Sequence, residues 1–209
     1  MGTDMWRLYL RSRRLHLAGI GWLVTVAASF WWGDHALAIP TVGLNVREMV
    51  LAVLVLPLPA VAGALATLDD DMGMWEQHAW WRVRWWDVTL VTGCLAAYVV
   101  ALALGIGDAS GVPGVAIVGA VWWTALGLVA ATVLGRRLAW VVPVVVMVAM
   151  LWFGKPSEPL WWAVPFHRVT VLKVALAVVV YAAAAGLYLW AAHRPITRRT
   201  RWWIRASAG

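Results

Sequence analysis

The chain has 209 residues, of which 63% are hydrophobic and only 13% are charged, and its formal net charge is +7. A soluble domain carries roughly 25% charged residues and keeps its surface solvated, so this composition excludes an ordinary water-soluble fold. The basic residues flank apolar runs and form no single stripe, which argues against nucleic-acid binding and predicts contact with phospholipid.

The charged residues separate six apolar runs, each near the roughly 20 residues that a helix needs to cross a bilayer. The runs are too long and too continuous for strands. Only Arg136 and Arg137 part the fourth run from the fifth, which predicts a tight turn at Gly135. We therefore expect a single-domain, all-α integral membrane protein over residues 1–209. Its six transmembrane helices would be Leu17–Gly33, Glu48–Leu68, Val88–Ile106, Pro113–Leu134, Leu138–Phe153 and Val169–Ala192.

The distribution of lysine and arginine predicts the orientation of these helices. With the N-terminus in the cytoplasm, 13 of the 17 basic residues fall on the inner side. Positively charged loops stay in the cytoplasm, so both termini are expected inside, with residues 193–209 forming a basic tail. The abundance of alanine, valine, arginine and tryptophan is typical of a bacterial proteome, which favours a multi-pass protein of a bacterial plasma membrane.

Two of the segments outside the six runs have a character of their own. Residues 1–16 predict a helix lying in the headgroup plane, although Arg13 falls outside its amphipathic pattern. Residues 154–168 are too apolar for a solvated loop and too rich in proline for another span, which predicts a short re-entrant or interfacial element. The residues that define the interfacial helix are Trp6, Arg7, Tyr9, Leu10, Arg11 and Arg14.

The sequence carries little recognisable catalytic chemistry. It lacks the spacing of a zinc peptidase and the Walker A loop of an ATPase, so no catalytic residue and no metal ligand is predicted. The single cysteine, Cys94, lies inside an apolar run and is expected to be a small buried hydrophobe. Asp69–Asp71 is the best acidic cluster, but Asp87 and Asp108 are isolated from it and from each other.

The interval Asp69–Asp87 is the longest polar segment between two spans. Within it, Asp71, Gly73 and Glu76 keep the spacing of an acid, a glycine and a glutamate that is frequent in one transporter family, with Met74 in place of the usual threonine or serine. Together with the topology and the basic N-terminal helix, this pattern resembles the type-2 permeases of ATP-binding-cassette exporters.

The resemblance implies that residues 69–87 form a coupling loop that docks on a separate ATP-binding subunit. ATP and magnesium would then be bound by that partner, with no cofactor on this chain. The family's permeases act as homo- or heterodimers that export peptides, antibiotics or lipid-like molecules. Residues Ala60, Gly63 and Ala64 would either line such a path or serve ordinary helix packing. The implied partner-binding residues are Asp71, Gly73, Met74, Trp75, Glu76, Trp80, Trp81, Arg82 and Arg84.

Two other functions remain open at this point. Asp69–Asp71 could hold magnesium for a membrane-embedded transferase, since carboxylates are its preferred protein ligands. A structural or regulatory membrane subunit without a transport path of its own would also explain the lack of catalytic motifs.

Overall fold

The computed structural model describes residues 15–32, 36–40, 47–51, 55, 57–68, 76–105, 112–153 and 170–191, together with Leu10 and Arg13. Within these residues the chain is helical apart from one two-stranded hairpin. The elements in chain order are α1 (Leu15–Trp32), β1 (Ala36–Pro40), β2 (Arg47–Leu51), α2 (Pro57–Ala66), α3 (Glu76–Gly105), α4 (Val112–Val133), α5 (Val141–Phe153) and α6 (Val171–Ala191).

Four stretches of the described chain are long and apolar enough to cross a membrane. They match the third to sixth predicted spans and cover Arg82–Ala101, Gly114–Val133, Arg136–Phe153 and Val171–Ala191. The predicted turn between the fourth and fifth spans is confirmed: Gly135 has φ = 96°, a backbone conformation that suits glycine, and a 3₁₀ turn follows over Arg136–Leu138.

The second predicted span is wrong as a single continuous helix. Its first part is strand β2, which pairs antiparallel with β1 from Ala36 opposite Leu51 to Pro40 opposite Arg47. The helix begins only at Pro57, because proline fits the first turn of a helix but its ring and missing N–H disfavour helix on its N-terminal side. At 10 residues, α2 is about 15 Å long, half of a bilayer's hydrocarbon core.

Helix α2 is short but lies deep in the bundle, packed against α1. Gly63 lets the two backbones meet: a Cβ atom added there would lie 2.6 Å from the carbonyl oxygen of Leu17. The hydroxyl of Thr25 on α1 accepts a hydrogen bond of 2.9 Å from the backbone N–H of Ala60, an amide in the first turn of α2 that has no partner within its helix. Gly63 therefore serves the close packing of α2 against α1.

Many large apolar side chains are exposed on the outside of the bundle. On α6, Val171 and Leu172 are 88% and 79% exposed, which in water would be unfavourable and in lipid is not. Exposed tryptophans lie near the ends of the apolar stretches, as in the aromatic belts of membrane proteins; they are Trp31, Trp85, Trp140, Trp152 and Trp190. These surfaces indicate an integral membrane protein.

Candidate functional site

A buried carboxylate, that of Asp87 on α3, is the centre of the most polar region of the described bundle. A terminal guanidinium nitrogen of Arg13 lies 2.8 Å from Oδ1, and one of Arg136 lies 2.8 Å from Oδ2. The hydroxyl of Tyr188 donates a hydrogen bond of 2.8 Å to Oδ2. Both carboxylate oxygens therefore have charged partners.

A second layer of contacts ties these residues to the backbone. Arg13 also donates to the carbonyl oxygen of Leu68 at 2.9 Å, just beyond the end of α2. Arg84, one turn before Asp87 on α3, donates to the carbonyl oxygen of Tyr188 at 2.7 Å, and its guanidinium carbon lies 4.8 Å from the centre of the Tyr188 ring. We call Arg13, Arg84, Asp87, Arg136 and Tyr188 the ionic cluster.

The ionic cluster is largely removed from solvent. The side chains of Arg13 and Asp87 are fully buried, and that of Arg136 is 17% exposed. Burying a charge costs several kcal/mol unless close partners and hydrogen bonds replace water, and the short charge-assisted contacts here supply both. Removing one charged partner while the others stay buried is therefore expected to destabilise the protein strongly.

Five chain segments meet at the ionic cluster. Arg13 precedes α1, Leu68 follows α2, Asp87 lies in the first half of α3, Arg136 follows α4, and Tyr188 lies in the last turn of α6. The N-terminal ends of α1 and α3 thus share one end of the bundle with the C-terminal ends of α2, α4 and α6. These helices therefore run in opposite directions from one to the next along the chain.

The implied coupling residues are only partly described. Residues 76–87, expected as loop, form the first three turns of α3, so Glu76, Trp80 and Trp81 lie on a helix. Arg82 is exposed, whereas Arg84 turns inward to the ionic cluster. Asp71, Gly73, Met74 and Trp75 lie outside the described residues, as do the acidic run 69–71, the outer element 154–168 and the tail 193–209.

The interfacial residues Trp6, Arg7, Tyr9, Arg11 and Arg14 also lie outside the described residues, and Leu10 is half-buried in helical conformation. The isolation of Asp87 from the other aspartates stays a prediction, because residues 69–71 and 108 lie outside the described residues; helix packing brings Arg13 and Arg136 to Asp87 from distant parts of the chain. One signal was present: Arg13 does not fit the amphipathic pattern of residues 1–16, and the structure shows it turned into the protein.

Among the described residues, no three histidine, cysteine, aspartate or glutamate side chains lie close enough together to bind a metal ion. The ionic cluster itself pairs one carboxylate with arginines and a phenol, which is suited to holding helices together. Its geometry indicates that ion pairs and hydrogen bonds hold these chain segments together.

Comparison of the chain with models of known protein families, with curated proteins and with solved structures found no match.

The Tyr188 hydroxyl offers a direct test of the ionic cluster. Because it bonds a buried carboxylate, Tyr188→Phe is expected to lower the free energy of unfolding in detergent by about 1.5–3 kcal/mol, while keeping the ring beneath Arg84. Tyr181→Phe on the same helix is the control: its hydroxyl lies 2.6 Å from that of Thr92 at a more exposed position. Equal losses for the two variants would contradict a special role for the Asp87 contact.

Proposed function

We propose that this chain is the membrane-spanning permease subunit of an ATP-binding-cassette exporter in a bacterial plasma membrane, moving a peptide, antibiotic or lipid-like molecule. In this proposal the chain crosses the membrane six times, with α2 as a short central segment, and both termini are cytoplasmic. The observation that carries the proposal is the ionic cluster, which joins the base of the implied coupling segment to the other helix ends at the same side.

The geometry of α3 suits the transmission of force. The helix runs without a break from Glu76 to Gly105, so its first turns and its membrane-crossing part move as one body. Asp87 lies about 16 Å along this helix from Glu76, at 1.5 Å per residue. A partner that pulls on the segment before Asp87 therefore acts, through Arg13, Arg136 and Tyr188, on the segments that flank α1, α4 and α6.

The charge distribution favours an external source of energy. Membrane-embedded charges mark the coupling sites of ion-driven transporters, but the buried carboxylate of Asp87 on α3 is already paired with Arg13 and Arg136 at one end of the bundle. Among the described residues of α1, α2, α4, α5 and α6, the only charged side chain is that of Lys173, near the start of α6. ATP hydrolysis by a separate subunit is the source that the resemblance implies.

The test is co-expression with candidate ATP-binding subunits from the same organism, followed by copurification and ATPase assays in proteoliposomes. We expect one such subunit to bind the wild-type chain. Trp75→Ala is expected to weaken that binding by roughly 30-fold, since aromatic hot spots contribute about 2 kcal/mol or more. Glu76→Ala is expected to reduce the stimulation of ATPase activity by the chain.

Lys173→Gln is the control variant, because Lys173 lies at the opposite end of α6 from Tyr188. This substitution is expected to leave the binding of the ATP-binding subunit unchanged. The proposal fails if no ATP-binding subunit copurifies with the chain. It also fails if Trp75→Ala and Glu76→Ala bind and stimulate the ATPase as well as the wild type.

A further inference from the structure

A narrow cleft lies between α2, α3 and α4, away from the ionic cluster. Ala64 of α2, Cys94 and Tyr98 of α3 and Thr124 of α4 contribute to its walls. The volume in which the centre of a water molecule fits is about 10 Å³. That space corresponds to roughly one water molecule.

The hydroxyl of Tyr98 is the unusual group in the walls of this cleft. Tyr98 is 1% exposed, and its hydroxyl has no hydrogen-bond partner in the described part of the chain. A buried donor without a partner is destabilising, and native proteins rarely leave one. Within the described residues, the indole N–H groups of Trp22 and Trp123 also have no hydrogen-bond partner, but these tryptophans do not line the cleft.

The other polar groups in the walls complement a small guest. The Thr124 hydroxyl donates to the carbonyl oxygen of Ala120 at 2.7 Å, which leaves its oxygen able to accept a hydrogen bond. The thiol of Cys94 is a weak donor and acceptor, and Cys94 lines the cleft and is partly exposed. A water molecule needs two to four polar partners, and these three side chains provide that number.

We propose that the cleft is a binding site for one small hydrogen-bond acceptor, a single water molecule held by the hydroxyl of Tyr98. Tyr98 follows Asp87 by eleven residues on α3, about 16 Å, and lies within the apolar stretch Arg82–Ala101. The inference does not rest on the proposed function. If the chain is a permease, a hydroxyl or carbonyl group of its substrate can replace this water in the cleft between α2 and α3.

The single cysteine of the chain makes the site testable in the purified protein without any ATPase. Methyl methanethiosulfonate dissolves in the bilayer and reacts with the thiolate of a cysteine, and apolar surroundings disfavour that thiolate. The control is Ala97→Cys in a Cys94→Ala chain, because Ala97 lies three residues further along α3 on its exposed face. We expect Cys94 to react about tenfold faster than this control cysteine, because the water favours its thiolate.

Removing the hydroxyl by Tyr98→Phe is expected to slow the reaction of Cys94 to the rate of the control, and filling the cleft by Ala64→Leu is expected to do the same. A Cys94 that reacts no faster than the cysteine introduced at position 97 shows a dry cleft and overturns the proposal. An unchanged rate in folded Tyr98→Phe protein also overturns it. Should Tyr98→Phe not fold, the comparison of the two cysteine positions decides alone.

Discussion

Asp87→Asn is expected to lower the free energy of unfolding by about 3–5 kcal/mol, the loss that follows when one partner of a buried ion pair is removed. Asparagine keeps the shape of the side chain but leaves the guanidinium groups of Arg13 and Arg136 without the carboxylate that lies 2.8 Å from each. The measurement is unfolding of the purified protein in detergent, followed by tryptophan fluorescence or circular dichroism.

Two comparisons make the Asp87 result specific. Arg82→Gln, on the same helix at an exposed position, is expected to change stability by no more than about 0.5 kcal/mol. A double-mutant cycle of Arg13→Met with Asp87→Leu should give a coupling energy well above that of a surface pair, because both side chains are fully buried. Wild-type stability in Asp87→Asn would show that the ionic cluster does not hold the bundle together.

Gly21→Ala is expected to destabilise the protein by about 1–3 kcal/mol through overpacking where α1 crosses α2. A Cβ atom at Gly21 would overlap the carbonyl oxygen of Pro59, a backbone atom that cannot rotate away, and would lie 3.4 Å from the Cα atom of Gly63. The two helices would have to separate, which would also lengthen the hydrogen bond from the amide of Ala60 to Thr25. The same unfolding assay measures the loss.

Gly19→Ala is the matched control, two residues away on α1. A Cβ atom there meets no atom within 4 Å, so the substitution is expected to be neutral, or to stabilise by up to about 1 kcal/mol because alanine is the better helix former. Gly63→Ala, on the other side of the crossing, should behave like Gly21→Ala. Equal effects of alanine at positions 19 and 21 would mean that α1 and α2 do not pack as described.

The fold was predictable from sequence wherever a run of apolar residues is long and uninterrupted. The third to sixth predicted spans appear as helices, and Gly135 with Arg136 and Arg137 forms the expected turn. The prediction failed in the second run, where two prolines, Pro57 and Pro59, delay the start of the helix. Hydropathy sums over a window and does not register that proline restricts where a helix begins.

The candidate site was less predictable, because ion pairs between distant residues leave no pattern in the sequence. Asp87 stands beside an apolar run like any charge at the edge of a span, and Arg136 reads as a topological signal in a turn. Arg13 lies 74 residues before Asp87, and Arg136 lies 49 residues after it. Only the packing of the helices brings each guanidinium to 2.8 Å from the Asp87 carboxylate. The coupling segment, in contrast, rests on local spacing and stays a prediction.

The amino-acid sequence by itself determined that this protein is embedded in a membrane and is built mainly of apolar helices. Its composition and the length of its apolar runs depend only on the chain. Tertiary structure alone decided that α2 is short and central, that glycines on α1 and α2 let two backbones touch, and that Asp87 is surrounded by arginines from other segments. The physical reason is the range of the interactions: hydrophobic transfer acts residue by residue, whereas close packing and buried ion pairs exist only when distant segments meet.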